Sequence, residues 1–183
     1  IGIGYAKSEK QGICIGCSQL FDSTGTGIRM ILRKIKNPCF FEKSNPYMDR
    51  NEAREMMIEL RESYYHCCPT AKLNRVVIHK TTPFMKEEII GITQAFEGVN
   101  VELLQIQEHS PWRAIRFGMK ATRQAENFAI KRGTVIPTNK DSFLIWTHGS
   151  LNIPEWTGSY NYFRGGRGIP APLVVKRFWG QSE

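Results

Sequence analysis

Long apolar runs are missing from this chain of 183 residues. None approaches the roughly 20 residues needed to cross a bilayer, and the start Ile1-Gly2-Ile3-Gly4-Tyr5 has neither the basic leader nor the length of a signal peptide. A cytoplasmic protein is the expectation. Cysteine is scarce and odd in number: of the five, Cys67 and Cys68 are adjacent while Cys14, Cys17 and Cys39 are scattered, which makes a poor disulfide framework. Cys14 and Cys17 form a C-x-x-C string, but they lie in an apparent strand where a separation of three turns side chains to opposite faces. That spacing argues for small apolar strand residues and against metal or redox chemistry. An initiator Met is also missing. The chain opens at Ile1 inside an apparent strand and closes at Glu183 soon after another, so we expect a piece truncated at both ends. Acidic side chains thin out towards the C-terminus: residues 113–183 hold four Asp/Glu against 11 Lys/Arg, a balance of +7, whereas residues 1–112 hold 13 against 14. A field so placed suits a polyanion such as nucleic acid, although a solvated basic surface has the same composition.

What is present suffices for a core. At 41% hydrophobic content, residues 1–183 are expected to form one globular domain. Residues 1–6, 12–21 and 27–35 read as three antiparallel strands. Their connectors are the polar residues 7–11 and the run Asp22-Ser23-Thr24-Gly25-Thr26-Gly27, whose residue types tolerate positive φ in hairpin loops. A loop with Pro38 and Pro46 follows. Asp49 and Glu52 stand in a capping-box arrangement ahead of a helix on which Ala53, Met56, Met57, Leu60 and Tyr64 repeat at helical spacing. Glu55, Glu59, Arg61 and Glu62 lie off that stripe and read as a solvated face. Arg75 to His79 is a short apolar run that fits a buried strand. Thr82 is expected to cap a second helix with Pro83 at its first position, its face marked by Met85, Ile89, Ile92, Thr93 and Phe96 and its end by Gly98. Residues 99–106 are the next apolar strand. Strand, helix, strand, helix, strand implies parallel pairing with right-handed crossovers beside the opening meander. Further strands are expected at 114–117, 127–131, 134–136, 142–147 and 173–178, with a hairpin connection at Thr138-Asn139-Lys140-Asp141 and a loop over 148–170.

Seven strings in order sharpen this reading: ICIGCSQLFD at residues 13–22, RVVIHKTTPF at 75–84, VELLQI at 101–106, WRAIR at 112–116, GTVIP at 133–137, LIWTHG at 144–149 and GGRGIPAP at 165–172. Together they resemble the PIWI domain of prokaryotic Argonautes, most of all its catalytically inactive branches, across essentially the whole chain. The resemblance implies an α/β fold of RNase H-like type: a mixed sheet with an antiparallel three-strand meander followed by parallel strands and crossover helices. It further implies guide and target nucleic acid as partners, a part in prokaryotic defence, and a guide 5′ end held mainly by a preceding MID domain.

Active relatives hold two divalent cations on carboxylates, because hard cations prefer oxygen ligands and paired metals stabilise both the attacking and leaving oxygens of a phosphodiester. The resemblance implies an Asp near the end of the first strand, where Gly4 stands, and an acid after the central strand, where His79 and Lys80 stand. Catalytic residues, a metal pair and other cofactors are therefore not expected. Lys80 would add positive charge where cations would sit. Glu42, the only acid in the loop between residues 35 and 48, reads as a solvated residue. A lone His79 could act as a base or ligand, but without a carboxylate partner it reads as a hydrogen-bonded strand-end residue or a phosphate contact.

Contacts with phosphates are expected from Lys80 and Thr81 after the central strand, Arg113 and Arg116 around Trp112, Arg164 and Arg167 in the glycine-rich loop, and Lys176 and Arg177 near the end. The Gly165-Gly166 pair either admits a phosphate close to the backbone or makes a tight connection into the final strand. Adjacent strand residues Lys176 and Arg177 point to opposite faces. Trp112, Trp156, Tyr160 and Tyr162 are candidates for stacking on bases, and Trp146 belongs to the core. Two other readings stand beside a pseudo-nuclease that holds nucleic acid. One is a metal-dependent guide-directed nuclease whose acids lie elsewhere. The other is a target-sensing scaffold that signals to an effector protein or a fused effector domain.

Overall fold

The computed structural model describes residues 1–8, 13–36, 38–41, 45–117, 130–150 and 169–180. The chain divides into two compact units, one of Ile1–Gln105 with Arg177–Glu183 and the other of Ile106–Lys176.

The first unit opens with an antiparallel meander of β1 (Gly2–Ser8), β2 (Ile13–Phe21) and β3 (Gly27–Ile35). The β2–β3 loop is organised by Asp22, whose carboxylate accepts from Thr24 N, Thr24 Oγ1 and Thr26 N. The next stretch, expected to be an irregular loop, carries a short hairpin of β4 (Cys39–Phe41) and β5 (Asn45–Tyr47). Helix α1 (Arg50–Cys67) begins where Asp49 accepts a hydrogen bond from Glu52 N at 2.8 Å, as its capping sequence requires. Ala53, Met56, Met57 and Leu60 are fully buried along its stripe. Then follow β6 (Arg75–Lys80), α2 (Lys86–Ala95) and β7 (Asn100–Gln107). Strand β6 pairs in parallel with β1 and with β7, so the strand order within this unit is β3-β2-β1-β6-β7.

Period-2 alternation sorts this sheet into two faces. Val76, Ile78 and Lys80 of β6 and Val101, Leu103 and Gln105 of β7 are buried, while their neighbours are not. Helix α1 lies on the buried face, where Arg33 of β3 pairs with Glu55 and a Cβ built at Gly16 would meet the Met56 methyl at 3.0 Å. Helix α2 approaches α1 so closely at Gly91 that a Cβ there would stand 2.3 Å from the Arg50 carbonyl oxygen. Its start differs from expectation. Thr82 and Pro83 precede the helix and Met85 is the N-cap, because Glu88 reaches back to accept from Met85 N at 3.1 Å. After the helix, Gly98 takes φ +78° as the chain turns towards β7.

The second unit contains β8 (Val135–Asn139), β9 (Ser142–Ile145) and the residues up to Lys176 of β10 (Leu173–Trp179), joined as an antiparallel meander. Lys140 and Asp141 turn the β8–β9 hairpin, with Asp141 N donating to Asn139 Oδ1 at 2.9 Å. Among the described residues Ile130, Leu144 and Trp146 form a core against which Ala114 and Val174 pack. Trp146 is 1% exposed and donates its indole N–H to the Pro170 carbonyl oxygen at 3.1 Å, in line with a core role. Of the strand expected at 114–117, residues 114–116 are irregular and Phe117 forms a single β-bridge. The strand expected at 127–131 is described only at Ile130 and Lys131, where Lys131 bridges Ser150; residues 151–168 of the expected loop lie outside the described residues.

Candidate nucleic-acid interface

In the first unit the ends of β1 and β6 bring the sequence-marked positions together. The parallel register sets Gly2 beside His79 and Ile3 beside Lys80. One step further along, the position level with Gly4 is Thr81 rather than His79. Gly4 and Thr81 stand on one face of the sheet. Neither residue is an acid. Gly4 is exposed, and a Cβ built on it meets nothing within 4 Å, so this part of the sheet surface is open floor. Thr81 is exposed, and its carbonyl oxygen accepts from Gln105 Nε2 at 3.0 Å. The half-buried His79 packs its ring within 3.2 Å of a Cβ built at Gly2, and burial pushes its pKa down, favouring neutral imidazole. Among the described residues no group of three or more His, Cys, Asp or Glu is arranged to hold a metal ion.

Lys80 departs from its expected role. It falls on the same strand face as Val76 and Ile78, is 3% exposed, and turns away from the surface that carries Gly4 and Thr81. Its ammonium donates to Glu88 Oε2 at 2.5 Å, 4.6 Å from the Phe84 ring centre and 5.5 Å from that of Tyr5. Glu88 is 1% exposed and accepts four hydrogen bonds: from Tyr5 Oη at 2.7 Å, Met48 N at 3.2 Å, Lys80 Nζ and Met85 N. This carboxylate ties β1, the lead into α1, β6 and the start of α2 to one point. Lys80 is thus a structural cation and leaves the set of phosphate contacts. Sequence reasoning passed over Glu88, although two signals were there: Lys80 continues the alternation of Val76 and Ile78, and Glu88 stands three after Met85 and four before Ile92.

In the second unit Arg113 and Arg116 do more than add charge. Arg113 Nη1 donates to the carbonyl oxygens of Ser110 and Trp112 at 2.8 and 2.7 Å, and Arg116 Nη1 donates to Ser150 Oγ at 3.3 Å. Ser110 and Ser150 are buried, so both arginines are fastened to fixed points. Trp112 is exposed beside them. On β10, Lys176 is exposed and Arg177 half-buried, as opposite faces require. Arg164, Arg167, Gly165, Gly166, Trp156, Tyr160, Tyr162 and Glu42 lie outside the described residues.

Neither a family model nor a curated protein sequence matches this chain. Solved structures do. The chain aligns over 100% of its length with Marinitoga piezophila Argonaute in complex with guide RNA and target DNA, at 14% identity and a TM-score of 0.61. It aligns over 100% with Clostridium butyricum Argonaute bound to a guide DNA and a target DNA, at 19% identity and a TM-score of 0.64. The Aquifex aeolicus protein matches over 99% of the chain at 15% identity and 0.51. These alignments span 23%, 21% and 22% of the respective solved chains, so this sequence corresponds to less than a quarter of each. What is shared is the fold: a mixed α/β sheet of RNase H-like type, in agreement with the sequence expectation.

Proposed function

We propose that this chain is the PIWI-type portion of an Argonaute-like protein that helps hold a guide strand and its complementary target and does not cut either. The observation that carries the reading is the likeness of fold over the whole chain to Argonautes solved with guide and target strands. The charge distribution supports it, since the +7 balance after residue 112 is the sign that phosphates need.

The proposal that no cleavage occurs rests on Gly4 and Thr81. A pair of hard divalent cations calls for carboxylate oxygens. The level positions on β1 and β6 offer a hydrogen and a hydroxyl, with one imidazole two residues back. This donor set does not fit a metal pair. The phosphate contacts we retain are Thr81, Arg113, Arg116, Arg164, Arg167, Lys176 and Arg177. In the complete protein we place this portion in prokaryotic defence in the cytoplasm, with an effector protein or fused effector domain acting on target recognition.

Titrating labelled single strands and guide–target duplexes at several salt concentrations tests the holding role. Binding should be weak for this chain alone and should fall steeply with salt, as counterion release requires; absence of binding at low salt would overturn it. Incubating the complete protein with guide, target and Mg²⁺ or Mn²⁺ tests the other half. Intact target is expected, and guide-dependent cutting that a chelator abolishes would reverse the assignment.

A further inference from the structure

The segment from Ser110 to Phe117 combines a fixed backbone with outward rings. Three anchors hold it from within the second unit. Ser110, 7% exposed, accepts from Trp112 N at 3.2 Å through its hydroxyl and from Arg113 through its carbonyl. Ala114 packs against the Ile130–Leu144–Trp146 core, and Arg116 is bonded to the buried Ser150. Trp112 and Ile115 between these anchors, and Phe117 next after Arg116, are 58%, 61% and 61% exposed. Large apolar side chains held in water by an anchored backbone are the informative exception on a protein surface. The exposure does not come from a slack chain, since each outward residue neighbours one that is tied down.

The charge around the rings selects the partner. The segment carries two arginines and no acid, and the residues from 113 onward have the +7 balance. Arg113 is exposed and adjacent to Trp112, with Nη1 turned back to the Trp112 carbonyl, so its positive charge is held at the edge of this patch. Aromatic faces beside fixed guanidinium groups are the combination that binds single strands: every base has a π-face to stack, and the arginines offset backbone charge without reading sequence. We propose that this segment is a stacking platform for unpaired bases of a single nucleic-acid strand, with Trp112 and Phe117 supplying the ring faces. The inference rests on the nucleic-acid-holding role and adds that bases, and not only phosphates, are gripped here.

The test compares two strands of equal phosphate count, one with normal bases and one abasic throughout, bound by the full-length protein and its Trp112→Ala variant. Because Trp112 is exposed, the variant should keep the parent's circular dichroism and melting temperature, and Trp112→Phe should restore binding. We expect the base-bearing strand to bind the parent more tightly than the abasic one. Trp112→Ala should weaken the base-bearing strand by roughly 5- to 150-fold and leave the abasic strand almost unchanged. Equal affinities of the parent for both strands would overturn the platform while leaving phosphate-driven holding intact, and would make the patch a protein-docking surface. Failure of the parent to bind either strand would overturn the holding role itself.

Discussion

Moving an ammonium and a carboxylate from water into a protein interior costs several kcal/mol per ion, and only good geometry with further hydrogen bonds offsets it. Lys80 and Glu88 meet that condition, each 1% exposed at the side chain, with Glu88 also accepting from Tyr5, Met48 and Met85. Removing one partner should then be far worse than removing both. Lys80→Met or Glu88→Gln alone is expected to lower stability by about 3–5 kcal/mol in denaturant unfolding. The double variant Lys80→Met with Glu88→Gln should lose less than the sum of its single changes, because the amide oxygen that replaces the carboxylate can still accept from the backbone N–H groups of Met48 and Met85. Additive losses would remove the pair from its proposed role as a structural knot. Burial also holds the Lys80 ammonium below its ordinary value near 10.5. Between that lowered value and 10.5 the unfolded chain binds more protons than the folded one, so Lys80 makes stability rise with pH across this window. Unfolding followed from neutral to alkaline pH should show this contribution in the parent and not in Lys80→Met.

Helices α1 and α2 meet where residue size decides their distance. At Gly91 a methyl group would lie 2.3 Å from the Arg50 carbonyl oxygen and 3.0 Å from the Ala53 Cβ, and the first of these neighbours is backbone that cannot swing aside. Gly91→Ala should therefore destabilise the fold by about 1–3 kcal/mol through overpacking, despite alanine's better helix propensity; a gain in melting temperature would mean the helices are free to part. Several elements were readable beforehand. Asp49 placed the start of α1, the 27–35 pattern matched β3, and the short apolar run at 75–79 marked β6. The misses have local causes. Strands β4 and β5 are three residues each, too short for a period, and β5 contains Pro46, which reads as a breaker. Pro83 suggested an early start for α2, but a carboxylate three residues inside the helix set it. Residues 112–117 alternate like a strand, yet Arg113 turns back on the Ser110 and Trp112 carbonyls and Phe117 alone of the six forms a β-bridge, which composition alone does not reveal. Of the candidate site, the sequence marks Gly4 and His79, and the strand register sets them two residues out of level. Register between strands is a tertiary fact that the sequence alone does not carry.

Across the whole chain, two units hold separate cores, one centred on residues such as Met56, Ile78 and Leu103 and the other on Ile130, Leu144 and Trp146. Among the described residues of the second core, Trp146 is the largest side chain. Trp146→Ala is expected to cost about 3–5 kcal/mol locally and to strip hydrogen-exchange protection from β8 and β9 more than from β6 and β7; equal loss in all four strands would mean that the units unfold as one. Charge follows a similar division in sequence, near balance up to residue 112 and strongly basic beyond it, and this asymmetry was open to simple counting. One further consequence comes from the empty floor at Gly4. A scaffold that leaves several ångströms of free space above a strand residue separates what keeps the protein folded from what reacts at its surface. Mutation can install or delete a side chain there with little penalty to folding, so chemistry can be gained or discarded within a lineage while the architecture is inherited intact.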